Sequence, residues 1–185
     1  IEQKVAAARE KRGAGPLPPE VHEETVRRIV VACLRYGYLR VGNNRQVIFD
    51  VEEWTNPEGD TGAYLLYVMA RVAGIHRKVE DEAHIDLSAP LPAESGFGNE
   101  PERALLNHLL QYPDVVARAE KTCDPSVVAN WLFDGAKRFS RFYQECPVLK
   151  AEPGLREARL MLVVCTELVA RRALDLLGIE PVDVM

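Results

Sequence analysis

Tyr64, Tyr67 and Arg71 are spaced i, i+3 and i+7, which places them along one face of a helix. Two rings, two hydroxyls and a guanidinium on one face can engage a single ligand, and a nucleic-acid base splayed out of its stack suits that set. On spacing alone an amphipathic core helix whose tyrosines keep their hydroxyls at the rim is the favoured reading, because Val68, Val72 and Ile75 continue the stripe. A second group lies further on, where Trp131, Phe133, Phe139, Phe142 and Tyr143 interleave with Lys137, Arg138 and Arg141. Tyr143, next to Cys146-Pro147, is the aromatic expected at the surface. Bases stacked on such rings, with phosphates beside the cations, fit this pattern. Core aromatics with a solvated cationic flank fit it as well.

Other chemistry finds little support. There is no GxGxxG, no GxxxxGK[ST] and no evident Ser/His/Asp order. Glu52-Glu53 and Glu80–Glu82 read as solvated faces. His22, His76, His84 and His108 are too scattered to form a zinc site, so no metal is expected. Cys33, Cys123, Cys146 and Cys165 contain no CxxC and sit beside apolar residues, as expected of reduced, buried thiols in a cytosolic protein. A binding module is favoured over an enzyme active site.

Hydrophobic residues make up 47% and charged residues 28% of 185, an ordinary balance for one soluble domain. The net charge of −5 gives no global case for nucleic acid. Any such role must rest on a local patch, either Arg71, Arg77 and Lys78 or Lys137, Arg138 and Arg141. Apolar runs such as 63–70 and 160–165 are far short of a membrane span. Ile1 in place of methionine suggests a fragment or a processed chain.

The elements that must position these residues read as helices. An alanine-rich, charged helix over 1–12 is broken by GAGPLPP, and a second runs from Glu20 to about Tyr36, with Gly37 ending it. The stretch 38–50 is strand-like, with Asn43-Asn44 as the turn of a small β-ribbon. Asn56–Thr61 signals the start of the tyrosine helix, which is expected from about Pro57 to Lys78. Residues 79–98 read as a long surface connection. Next comes a helix from Glu100 to about Ala119, kinked or split at Pro113. Asp124-Pro125 opens a helix to about Gln144, and Pro153 with Gly178 brackets the last, whose stripe is Leu155, Leu160, Val163, Val164, Leu168, Ala173 and Leu177. The fold class expected is all-α, a helical bundle with one ribbon.

Three motifs carry a family resemblance. DTGAYLLYVMAR, from Asp60 to Arg71, resembles the GNTGPYLQYAHAR-type motif of class I arginyl-tRNA synthetases, and Val47-Ile48-Phe49-Asp50 stands where that family has a VFD segment. WLFDGAKRFSRFYQECPVL resembles the family's YLYDLAxxFNRFYHxCPVL helix. ALDLLGIEPVDVM, from Ala173 to Met185, resembles its LLGI(x)PxxM ending. Ala63, Leu66 and Val68-Met69 depart from the pattern, replacing proline, glutamine and Ala-His, but both tyrosines and the arginine remain.

The resemblance spans about Glu20 to Met185 and implies the C-terminal anticodon-binding (DALR-type) domain of an arginine–tRNA ligase. Residues 1–19 would then be a helix and linker following a catalytic core absent from this chain, and 20–185 the binding domain. The HIGH and KMSKS motifs of that core are missing, and Gly74-Ile75-His76 does not replace them. The chain alone should therefore be inactive and hold no cofactor, with ATP and Mg belonging to the full enzyme. The implied anticodon contacts fall on Tyr64, Tyr67, Arg71, Tyr143 and the terminal Met185, with Lys137, Arg138 and Arg141 as candidate phosphate contacts. The implied partners are tRNA(Arg) and the catalytic domain, and a cytoplasmic monomer without membrane attachment is expected. A free-standing tRNA-binding paralogue and a helical protein-interaction scaffold are the alternatives.

Overall fold

Seven helices are formed by the described residues, which are 2, 6, 15, 18–82 and 97–182 of a computed structural model. They are α1 (Pro19–Leu39), α2 (Val51–Trp54), α3 (Gly62–Glu82), α4 (Glu100–Leu110), α5 (Tyr112–Thr122), α6 (Ser126–Glu145) and α7 (Leu155–Leu176). Helix α3 packs on α1, α4 and α5 pack on α6, and α7 closes the bundle against α3, α4 and α6. The core is a continuous aliphatic and aromatic cluster that includes Ile29, Tyr36, Leu66, Val72, Leu105, Phe139, Phe142 and Val163. The expected all-α class holds.

Close packing sets the α1–α3 crossing. A methyl group on Gly62 would run into the Ala32 carbonyl of α1, and one on Gly37 would overlap the Trp54 ring. Gly37 therefore does not end its helix as the sequence suggested. It lies inside α1, which continues to Leu39, because Trp54 of α2 needs the space its missing side chain leaves. Tyr36 is buried at the same crossing. Its hydroxyl donates to Asp60 Oδ1, and burial together with that carboxylate raises the phenol above its ordinary pKa.

The expected ribbon does not form: the described residues contain no strand. Tyr38 and Leu39 complete α1, and the chain from Arg40 into the 42–45 turn is pinned against α5 and α6. Asn43 Nδ2 donates to the Cys123 carbonyl (2.8 Å), and Asn130 Nδ2 donates to the Arg40 carbonyl (3.2 Å). With these groups engaged at the α5–α6 junction, 46–50 runs singly to Asp50, whose side chain caps α2 by accepting from Glu53 N at 2.8 Å.

Three further expectations are corrected. The helix carrying the tyrosines extends past Lys78 to Glu82, so the connection begins later, and 83–96 lies outside the described residues, as does nearly all of the 1–12 helix. Cys123 is exposed: it occupies the left-handed cap of α5 (φ 49°), where the chain must turn toward α6. Leu168 is exposed and Leu155 and Val164 are only half buried, while Arg159, absent from the stripe, is buried. Pro113 divides its segment into α4 and α5, and Gly178 (φ +66°) turns the chain after α7, both as expected.

Two buried polar contacts fix α4. Arg159 Nε donates to Glu102 Oε1 at 2.6 Å with side-chain exposures of 6% and 0%, and Arg159 Nη1 donates to the Pro147 carbonyl at 2.7 Å. Glu102 Oε2 accepts from the Asn99 backbone at 2.9 Å, so the pair joins the start of α4 to α7. His108 stacks on Trp131 (4.6 Å between centroids, 6° between planes), with Nε2 2.9 Å from the Trp131 carbonyl. Burial lowers the His108 pKa, and because a carbonyl can only accept, Nε2–H is the donor in this contact. No helix among the described residues is long and apolar enough to cross a membrane.

Candidate nucleic-acid interface

Helix α3 begins where Thr61 caps it. Thr61 Oγ1 accepts from Tyr64 N at 3.3 Å and donates to the Asn56 carbonyl at 2.7 Å. Asp60, the other expected cap, turns instead to Tyr36 and to Arg40 Nη1, at 2.9 Å from the latter. From this start the helical period divides the face that the sequence predicted. Leu65, Leu66, Val68, Met69, Val72 and Ile75 are buried, whereas Tyr64, Tyr67 and Arg71 lie half buried on the rim facing α6. The residues that depart from the synthetase motif, Ala63, Leu66, Val68 and Met69, are all buried, so those exchanges are matters of packing.

Helix α6 supplies the other side of the rim. Its Asp124-Pro125 start holds, with Asp124 Oδ1 accepting from Ser126 N at 3.0 Å, and it carries Phe139 and Phe142 into the core. Tyr143, one position later, is 39% exposed, the surface placement expected from its position near Pro147. The Arg71 guanidinium lies between two rings, 4.6 Å from the centroid of Tyr67 and 4.7 Å from that of Tyr143. Arg71 Nη2 also donates to the Tyr67 hydroxyl. Among the described residues no carboxylate pairs with Arg71, so ring quadrupoles rather than an acid hold its charge. At the other end of the rim, the Tyr64 hydroxyl donates to Ser140 Oγ at 2.9 Å and its ring meets Phe133 edge-on at 5.4 Å. Lys137 Nζ sits 5.0 Å from the Phe133 centroid.

Of the expected site residues, Tyr64, Tyr67, Arg71, Tyr143 and Lys137 are thus gathered on one α3–α6 rim. Arg138 and Arg141 are not. Arg141 is engaged by Glu100 (2.6 Å) and Glu145 (2.8 Å), which raise its pKa, and Arg138 lines a cleft on the α4 side of α6. Met185 lies outside the described residues. Ser140 was not singled out in the sequence, and Phe133 only as one of the aromatics of that helix, although both share the helical face of Lys137, at i+3 and i−4 from it. The rim offers aromatic rings, a cation with no described acid partner, and hydroxyls that can donate or accept. It offers no nucleophile–base pair, and no group of three metal-ligating side chains is gathered among the described residues.

Residues 65–185 match the DALR anticodon binding domain family. The chain belongs to that family. Arginine–tRNA ligase of Pyrococcus furiosus is 34% identical over 171 residues, covering 91% of this chain and 27% of that protein. The ligase of Photobacterium profundum is 32% identical and covers 100% of this chain and 31% of its own length. The solved arginyl-tRNA synthetase of Thermus thermophilus superposes with a TM-score of 0.84 at 31% identity, over 100% of this chain and 31% of that one. The Plasmodium falciparum arginyl-tRNA synthetase shares the fold, with a TM-score of 0.79 at 21% identity. The DALR chain therefore spans less than a third of the length of these relatives. Tyr67, Arg71 and Tyr143 lie within the matched segment, and Tyr64 immediately precedes it.

Proposed function

We propose that this DALR domain recognises the anticodon arm of tRNA(Arg) as part of an arginine–tRNA ligase. The observation that carries the reading is Arg71, a guanidinium held between Tyr67 and the exposed Tyr143 with no described carboxylate answering it. In this reading a loop base packs against the exposed edge of Tyr143, beside the Phe139–Tyr143–Arg71 column, while Arg71 donates outward to a phosphate or a base edge. Tyr64 and Tyr67 border the same base-binding surface, Lys137, whose three ammonium donors exceed its one contact to Asp134 (3.1 Å), meets backbone phosphate, and the carboxy-terminal Met185 packs on a second base. Arg141, already engaged by Glu100 and Glu145, contributes little to phosphate binding.

Holding the anticodon arm would orient the acceptor end toward a catalytic domain elsewhere in a longer cytoplasmic, monomeric polypeptide. That domain would use ATP and Mg to attach arginine, and this chain, which carries neither the HIGH nor the KMSKS motif, would bind tRNA without charging it. The test is titration of tRNA(Arg) with the chain across a salt series, beside an aminoacylation assay. Binding that weakens steeply with salt is expected, since neutralised phosphates release counterions. Absence of binding at low salt overturns the reading.

A further inference from the structure

We infer that the cleft between α4 and α6 is a second phosphate-contact site that takes the sugar-phosphate backbone of the same RNA, on the opposite flank of α6 from the tyrosine rim. The cleft has a volume of about 400 Å³ and is lined by Glu100, Arg103, Asn107, His108, Gln111 and Arg138. Its acids are already taken. Glu100 is held by Arg141 at 2.6 Å, and Asp134, on the neighbouring turn of α6, is held by Lys137 at 3.1 Å. His108 stays neutral because burial lowers its pKa. Two guanidinium charges are left over. Arg138 is exposed and no described carboxylate pairs with it, and Arg103 uses Nη1 for the Phe97 and Gly98 carbonyls (3.3 and 2.8 Å) rather than for an acid. The exposed amides of Asn107 and Gln111 add neutral donors between them.

Two planar forks flanked by amide donors match the oxygens of a phosphodiester, and they carry no base-reading geometry. Position strengthens the assignment. Lys137 and Arg138 are consecutive on the outer ridge of α6, Lys137 lying against Phe133 of the rim and Arg138 opening onto the cleft. A backbone leaving the rim at Lys137 needs only to cross one helix, roughly 10–12 Å wide, to reach Arg138 and Arg103. The site would thus hold a short run of nucleotides next to those read by the tyrosines.

This inference rests on the tRNA reading, and the experiment separates the two. Binding of a tRNA(Arg) transcript to the full chain is measured from low to moderate salt for the wild type, Arg138→Gln, Arg103→Gln/Arg138→Gln and Tyr143→Ala. Each lost phosphate contact should reduce the slope of log affinity against log salt by about 0.7, and the double variant by about twice that. Tyr143→Ala should lower affinity at every salt with its slope unchanged. Arg138→Gln changes an exposed side chain with no described acid partner, so its melting temperature should match the wild type and keep the test valid even if the double variant is destabilised. Wild-type slope and affinity in both arginine variants, the result an acidic protein segment in the cleft would also give, overturns the cleft site and leaves the function standing. A wild-type chain that does not bind tRNA overturns both.

Discussion

Arg159, at the α4–α7 junction, has 6% of its side chain exposed and its charge answered by Glu102 at 2.6 Å, whereas Arg71, on the α3–α6 rim, lies between two tyrosine rings with no described carboxylate partner. Both are fixed in place, by different means. A guanidinium bonded to a carboxylate and a carbonyl in the core turns its Nε and Nη1 donors inward to fixed partners. One sandwiched by rings is oriented while its edge N–H groups, other than the one Nη2 gives to the Tyr67 hydroxyl, stay available, because the rings contact its face. The first arrangement holds helices together, and the second presents a positioned cation to solvent or to an anion. Environment rather than residue type separates structure from recognition here.

The largest effect that would test this contrast is at the buried pair. Removing one partner, by Arg159→Met or Glu102→Gln, leaves an unpaired group in the core and should cost about 3–5 kcal/mol of stability in urea denaturation. The double replacement Glu102→Leu/Arg159→Met should recover much of that loss, since neither charge then remains. A loss no larger than that of an exposed pair, about 1 kcal/mol or less, would break the comparison by showing that water answers the charge.

That pair also marks where sequence legibility stops. Asp124-Pro125, Pro147, Pro153 and Gly178 punctuate the chain locally, so α6 and α7 could be bounded from the sequence, and the tyrosine stripe could be placed on one helix. Glu102 and Arg159 are 57 positions apart and each reads as a surface charge by itself, so nothing local announces their burial. Gly37 carries the residue type that usually ends a helix, but its role is set by Trp54, which approaches from α2. Short α2 had a signal in Asp50 three residues before Glu53, hidden by the strand-like run preceding it. At the rim the spacing left core and ligand readings open. Only the packing of α1, α6 and α7 around α3 divides them, burying Val68, Val72 and Ile75 and leaving the tyrosines half open. The packing of α4 on α6 separates Arg138 from Lys137, which adjacency in sequence could not do.

A middle-sized effect sharpens the other side. Tyr143→Ala should weaken tRNA(Arg) binding by about 1–3 kcal/mol if a base packs against that ring, with helicity and melting temperature retained because the side chain is 39% exposed. Arg71→Lys keeps the charge but loses the flat face between the rings, so its affinity should fall between that of the wild type and Arg71→Met. If Arg71→Met instead lowers stability and leaves tRNA affinity unchanged, Arg71 belongs with Arg159 as a structural cation.

Tyr64 carries the smallest expected effect and the finest division between the two classes. Its ring meets Phe133 and its hydroxyl donates to Ser140 Oγ at 2.9 Å, so it has a structural partner at both ends. Tyr64→Phe keeps the ring contact and removes one hydrogen bond, which should cost about 0.5–1.5 kcal/mol of stability. Ser140→Ala should cost a similar amount, and the double variant scarcely more than either single, because both delete the same bond. Were the Tyr64 hydroxyl a contact to RNA, Tyr64→Phe would lower tRNA affinity while Ser140→Ala would not, since the phenol would still be present to turn outward. Equal losses of stability with unchanged affinity would place Tyr64 on the Arg159 side, as a post that holds α3 against α6 so that Tyr67, Arg71 and Tyr143 stay in register.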